Sequence, residues 1–157
     1  MPSETEILIT REFAASRHTL WRAWTEPELL RRWWAGGHGE MQTVEVDLRV
    51  GGRWRYVLAL GEGHEVAFHG DFREIVPEER IVTTEVYEQA YEGMPEQEPE
   101  NPVLNVVTFA ERDGRTTLDL LVICPDQATR DAIMGSGMEG GMQDQYDALD
   151  ELVASLD

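Results

Sequence analysis

The chain contains no lysine; all 13 of its basic residues are arginines. Schiff-base chemistry and the phosphate-gripping lysine of a P-loop are thereby excluded. Cys124 is the single cysteine, which rules out an internal disulfide and cysteine-based zinc sites. No apolar run approaches the ~18 residues that a membrane-crossing helix needs, so membrane insertion is not expected. The opening Met1-Pro2-Ser3-Glu4-Thr5-Glu6 has no basic region followed by an apolar stretch. No secretory signal is expected, and a cytoplasmic location fits these absences. Positive charge is scarce where it would matter most. Residues 1–60 hold eight acids and eight arginines, whereas 61–157 hold 23 acids and five arginines, so the later part carries the whole net charge of −18. Such a surface repels phosphate backbones and anionic membranes, which excludes nucleic acid as a partner.

What is present suits one globular unit. A chain of 157 residues, 41% of them hydrophobic, can bury ~68–70% of its unfolded surface in a single core. Residues 1–157 are read as one domain, with no internal repeat and no linker. The organising element is a helix over 136–156. At 100° per residue Met138, Met142, Tyr146, Leu149, Leu152, Val153 and Leu156 share one arc, and Glu139, Gln143, Asp144, Asp147, Asp150 and Glu151 fill the opposite face. Its first half holds Gly137, Gly140 and Gly141, each costing roughly 0.8–1 kcal/mol against alanine inside a helix. Gly141 lies at the edge of the apolar arc. There a missing side chain fits either close packing or a helix that walls a pocket.

Before this helix, residues 5–13 alternate as a strand, and Ser16 is placed to cap a helix running through Trp24. Pro27 opens a second short helix to Trp34, at the first-turn position where proline is tolerated. Four tryptophans within 14 residues, Trp21, Trp24, Trp33 and Trp34, require that some be buried, and the adjacent pair cannot point the same way. Strands are then expected over 44–50, 53–60, 66–72, 81–88, 103–110 and 116–124. Their turns are Gly51-Gly52, Gly61-Glu62-Gly63, Pro77-Glu78-Glu79 and Arg112-Asp113-Gly114. Segment 89–102, with three prolines and four glutamates, reads as a long exposed loop. Pro125-Asp126 opens a short helix to Met134. This order predicts an α+β fold in which a curved antiparallel sheet wraps the long C-terminal helix, with a short helix pair after the first strand. A sheet bent so far leaves a gap to the helix, and a cavity is expected there.

These residues also resemble a family. Trp21-Arg22-Ala23-Trp24-Thr25-Glu26-Pro27-Glu28-Leu29, then Trp33-Trp34, then Asp47-Leu48-Arg49-Val50-Gly51-Gly52-Arg53-Trp54 look like the signature of a large superfamily (SRPBCC). It comprises lipid-transfer START domains, the birch-pollen allergen and polyketide cyclases. Gly70, Pro77-Glu78-Glu79-Arg80-Ile81-Val82 and Gly137-Met138-Glu139-Gly140-Gly141-Met142 agree. The match is closest to bacterial domains similar to the C-terminal domain of the activator of the heat-shock-protein-90 ATPase, and it covers essentially the whole chain. The resemblance implies a helix-grip fold and carriers, enzymes or structural modules as relatives. It carries no catalytic signature, and a counterpart of the eukaryotic co-chaperone's separate N-terminal domain is not expected.

The chemistry-bearing residues point away from catalysis, and no catalytic residue is assigned. His38, His64 and His69 with Glu62 or Glu65 lack metal-ligand spacing, so neither a metal nor a cofactor is expected. Asp47 and Arg49 are expected to form an ion pair, Ser136 a cap or turn, and Cys124 a buried inert thiol. The aromatic set carries more information. Trp33, Trp54, Tyr56, Phe68 and Phe109 are assigned to a ligand-binding lining with Met138, Gly141, Met142 and Gln145. Deformable methionines and large rings suit a small hydrophobic or aromatic molecule, and Tyr56 and Gln145 supply polar atoms to orient it. The same residues would equally build a filled core. Two alternatives stand beside a binding protein: a cavity-based cyclase, dehydratase or hydrolase, and a module that engages a chaperone or regulator as protein partner. Monomer and homodimer are both compatible with the sequence.

Overall fold

The computed structural model describes residues 4–35, 39–61, 63–89, 102–135 and 138–156; the side chains at 60, 64, 87–89, 138, 139 and 141 fall outside that description. Its elements in chain order are β1 (Glu6–Phe13), α1 (Arg17–Thr25), α2 (Pro27–Trp33), β2 (Glu40–Val46), β3 (Arg53–Gly61), β4 (His64–Val76), β5 (Arg80–Gln89), β6 (Val103–Arg112), β7 (Arg115–Ile123), α3 (Gln127–Gly135) and α4 (Met138–Leu156). All seven strands pair antiparallel in one sheet of order β1-β7-β6-β5-β4-β3-β2. The first two strands are thus its opposite edges, and the helix pair α1–α2 carries the chain from one edge to the other. This is the helix-grip arrangement expected from the sequence.

Local chemistry explains the element ends. The Ser16 hydroxyl accepts the backbone N–H of Thr19 at 3.2 Å, capping α1, and Pro27 occupies the first turn of α2. The β6–β7 hairpin turns on Asp113 and Gly114 alone, with φ values of +53° and +76°. Two positive φ angles are what a two-residue turn between right-twisted strands demands. One boundary differs from expectation. Alternation suggests a strand over 44–50, but β2 ends at Val46. The next residues fold back through Arg49 N–H to Asp47 O and Gly52 N–H to Arg49 O, both 2.8 Å. Leu48 and Val50 consequently lie exposed at 41% and 63%. The expected Asp47–Arg49 ion pair forms at 2.8 Å, within this loop and not on a strand face.

Strand β4 carries a close approach to β5 and a register irregularity. At Gly70 the strands approach so closely that a Cβ would lie 1.8 Å from the Thr84 carbonyl oxygen. The ladder gives way there to a bond from Asp71 N–H to the Thr84 hydroxyl at 2.8 Å, and a register shift follows between Phe72 and Glu74. Glycines and bulges are the usual means of turning a sheet corner. The two halves of α4 meet different surroundings. Leu149, Leu152 and Val153 are buried in a dense core with Phe13, Leu20, Ala23 and Leu118. Towards its N-terminus Met142, Gln145 and Tyr146 of α4 border open space. There a cavity opens.

Candidate functional site

The cavity between the sheet and the N-terminal half of α4 measures about 590 Å³, within the range of small-molecule sites. Each side of it follows from an element already described. Alternation along β3 turns Trp54, Tyr56 and Leu58 inward, and β4 adds Val66, Phe68 and Phe72. The helix pair contributes Trp24, Leu30, Trp33 and Trp34, and α4 contributes Met142, Gln145 and Tyr146. The rings brace one another. Trp34 meets Tyr56 and Phe68 edge-on, with centroids 5.0 and 5.1 Å away, and Trp54 leans on Tyr56 at 4.7 Å.

Buried polar groups of the tryptophans are satisfied internally, which fixes the rings in place. Trp33 Nε1–H donates to Ala23 O at 2.8 Å. Trp54 Nε1–H donates to Thr84 O at 3.1 Å, across the bare Gly70. The carbonyl of Trp34 ends α2 without an intrahelical partner, and Gln145 Nε2–H donates to it at 2.5 Å. The Gln145 amide nitrogen is therefore committed within the protein. The Tyr146 hydroxyl is buried with no hydrogen-bond partner among the described residues.

One side of the wall is polar. Thr83 and Glu85 of β5 and Asn105 of β6 face the cavity in the positions that Ile81 and Val107 hold further along the same strands. Asn105 Nδ2–H donates to Glu85 Oε2 at 2.7 Å. Burial pushes the Glu85 carboxyl above its ordinary range, and the Asn105 bond opposes the shift. Burial, and then the charge of Glu85, raise the phenol of Tyr56, which stays neutral. None of the 13 arginines lines the cavity.

Six of the nine residues assigned from sequence converge on this space: Trp33, Trp54, Tyr56, Phe68, Met142 and Gln145. Phe109 does not. It shares the inward parity of β6 but lies beyond the cavity, buried edge-on against Trp21 and Trp24 at 5.9 and 6.2 Å, because α1 packs over that end of the strand. The side chains of Met138 and Gly141 lie outside the described residues. Sequence reasoning misses Glu85, Asn105 and Thr83. The signal for the β5 pair is parity, since Thr83 and Glu85 follow Ile81 at intervals of two on an inward face. Cys124 is buried, and burial raises its thiol above the usual range. Among the described residues no group of three or more His, Cys, Asp and Glu could hold a metal ion; His38 and the side chain of His64 lie outside them. No helix among them is long and apolar enough to cross a membrane.

Comparison with known proteins places this architecture. The family described as Activator of Hsp90 ATPase homolog 1-like protein matches residues 14–154. The chain belongs to that family. Solved structures similar to this Activator of Hsp90 ATPase homolog 1-like chain include a protein from Rhodobacter sphaeroides, 27% identical, with a TM-score of 0.87 over 100% of this chain and 97% of that one. A protein from Nitrosomonas europaea is 24% identical, with a TM-score of 0.83 over 99% and 97% of the two chains. An AHSA1-like protein from Aeromonas hydrophila, 21% identical, has a TM-score of 0.66 over 96% and 94%. No curated protein matches by sequence.

Proposed function

We propose that this member of the family binds a small hydrophobic or aromatic molecule in the cavity between sheet and α4. The observation that carries the reading is the cavity itself: about 590 Å³ walled largely by aromatic and aliphatic side chains, with a few polar groups among them, Thr83, Glu85 and Asn105 on the sheet and Gln145 on α4. Apolar contact area supplies affinity in such a site, and convergent polar groups supply orientation. Neither a metal nor a resident cofactor forms part of this reading.

Glu85 favours a second reading, a cavity-based enzyme, because catalysis uses carboxyls with perturbed titration. Its hydrogen-bond partner, however, is an amide, and the phenol of Tyr56 is held neutral. Acid–base chemistry draws on two titrating groups pushed apart by their surroundings. A carboxyl paired with an amide is better suited to hold a ligand than to turn one over.

Titration of the full chain with the neutral dye Nile red tests binding. Emission should shift to the blue and saturate near one dye per chain. Val103→Trp places a large ring in the cavity wall and should weaken the dye about tenfold or more while the far-ultraviolet circular dichroism stays unchanged. Dye binding that never saturates, or that ignores the added ring, would refute a binding cavity.

A further inference from the structure

We infer that the cavity selects a hydrophobic amine, an apolar or aromatic body carrying one ammonium group that seats against Glu85. The inference rests on the binding reading above and names the ligand class.

The charge inventory of the wall leads to it. Glu85 is the one acidic side chain among the described residues that line the cavity, and no arginine lines it. The chain has no lysine to offer. The donor that Glu85 meets is the uncharged amide of Asn105, 2.7 Å away. Glu85 is half-buried, and a carboxylate with so much of its hydration removed is stabilised by an opposite charge beside it. Among the described residues lining the cavity the protein provides none, and a ligand ammonium would. A carboxylate or phosphate head would instead bring a second negative charge to the same spot.

The apolar surroundings agree. Trp34, Tyr56 and Phe68 cluster within the wall at centroid separations of 5.0 and 5.1 Å. Aromatic faces attract ammonium groups and cover the apolar body that carries them. Beyond the wall, a net charge of −18 draws cations towards the molecule and repels anions.

Three compounds that differ only in their head group test the inference by calorimetry: 2-naphthylmethylamine, 2-naphthylmethanol and 2-naphthoate, each titrated into the full chain at neutral pH. The amine should bind about tenfold tighter than the alcohol, as a charge-assisted hydrogen bond allows, with the naphthoate weakest. Glu85→Gln preserves the shape and an acceptor for Asn105; it should bring amine and alcohol to within about threefold of each other. Glu151→Gln removes the same unit of charge from the exposed face of α4 and should leave the amine's advantage intact. Equal binding of amine and alcohol to the parent protein would overturn the amine inference while leaving hydrophobic binding in place. So would an advantage that survives in Glu85→Gln, or one that Glu151→Gln removes equally, since attraction would then come from the overall charge. If none of the three compounds binds, and Nile red does not bind either, the cavity reading falls with it.

Discussion

Gly70→Ala is the substitution whose outcome the fold dictates most sharply. The added methyl carbon would sit 1.8 Å from the Thr84 carbonyl oxygen and 2.7 Å from Trp54 Nε1. Both distances lie far inside contact range, and the first involves backbone, which cannot swing aside. Strands β4 and β5 must separate locally, and the 3.1 Å bond from Trp54 Nε1–H to Thr84 O must lengthen or break. Leaving that buried pair unsatisfied costs about 1–3 kcal/mol, and forcing volume into a packed site costs about 1–3 kcal/mol more. Restricting the unfolded chain returns only about 0.4–1 kcal/mol. The net expectation is a loss of about 2–5 kcal/mol in urea denaturation followed by tryptophan fluorescence. Trp54 lines the cavity, so Nile red binding should weaken in the folded variant as well. A free energy of unfolding within about 0.5 kcal/mol of the parent would refute the close approach at Gly70.

Gly140→Ala should do the opposite, because its Cβ meets nothing within 4 Å on α4; a gain of up to about 1 kcal/mol is expected from thermal denaturation, and a loss would contradict the open space. Glu85 predicts a pH dependence. Its folded-state carboxyl titrates above the ordinary 4.5, so the acid form's stability contribution is complete below that value and is lost as pH rises through the folded pKa. The groups facing it are Tyr56 from β3 and Asn105 from β6, with no arginine in the wall. Glu85→Gln should therefore match the parent near pH 4 and exceed it at pH 8 in paired denaturation curves; equal stability at pH 8 would count against a desolvated carboxyl. Ser16→Ala removes the cap on Thr19 N–H and should cost about 1 kcal/mol by urea denaturation. Cys124, buried with a raised thiol, should resist iodoacetamide in the folded protein and react in urea; rapid labelling under native conditions would show an exposed thiolate.

Features governed by near neighbours along the chain are legible in the sequence itself. Ser16 and Pro27 mark helix starts through chemistry within one turn. Asp113 and Gly114 turn a hairpin by their own φ angles. The apolar arc of α4 depends on its period alone, and Tyr146, Leu149, Leu152 and Val153 are buried as that period requires. The inward parity of Trp54, Tyr56 and Phe68 comes from the same arithmetic applied to strands.

Tertiary structure decided what depends on register, curvature and the packing of distant elements. Phe109 has the parity of a lining residue, yet its place along β6 puts it under α1, which no local pattern reveals. Residues 47–50 alternate like a strand, but the pairing of Gly51 N–H with Phe72 O at 2.9 Å holds them in a loop. Glu85 and Asn105 are 20 positions apart and meet only because β5 and β6 pair with Thr83 opposite Asn105. Gly70 reads as one glycine among 14 until the pairing of β4 with β5 brings the Thr84 carbonyl against it. Parity tells which face of a strand a side chain takes. Whether that face meets a packed helix, a loop or an open cavity is set by how the sheet curves, and that curvature is the sum of contacts between residues far apart in the chain.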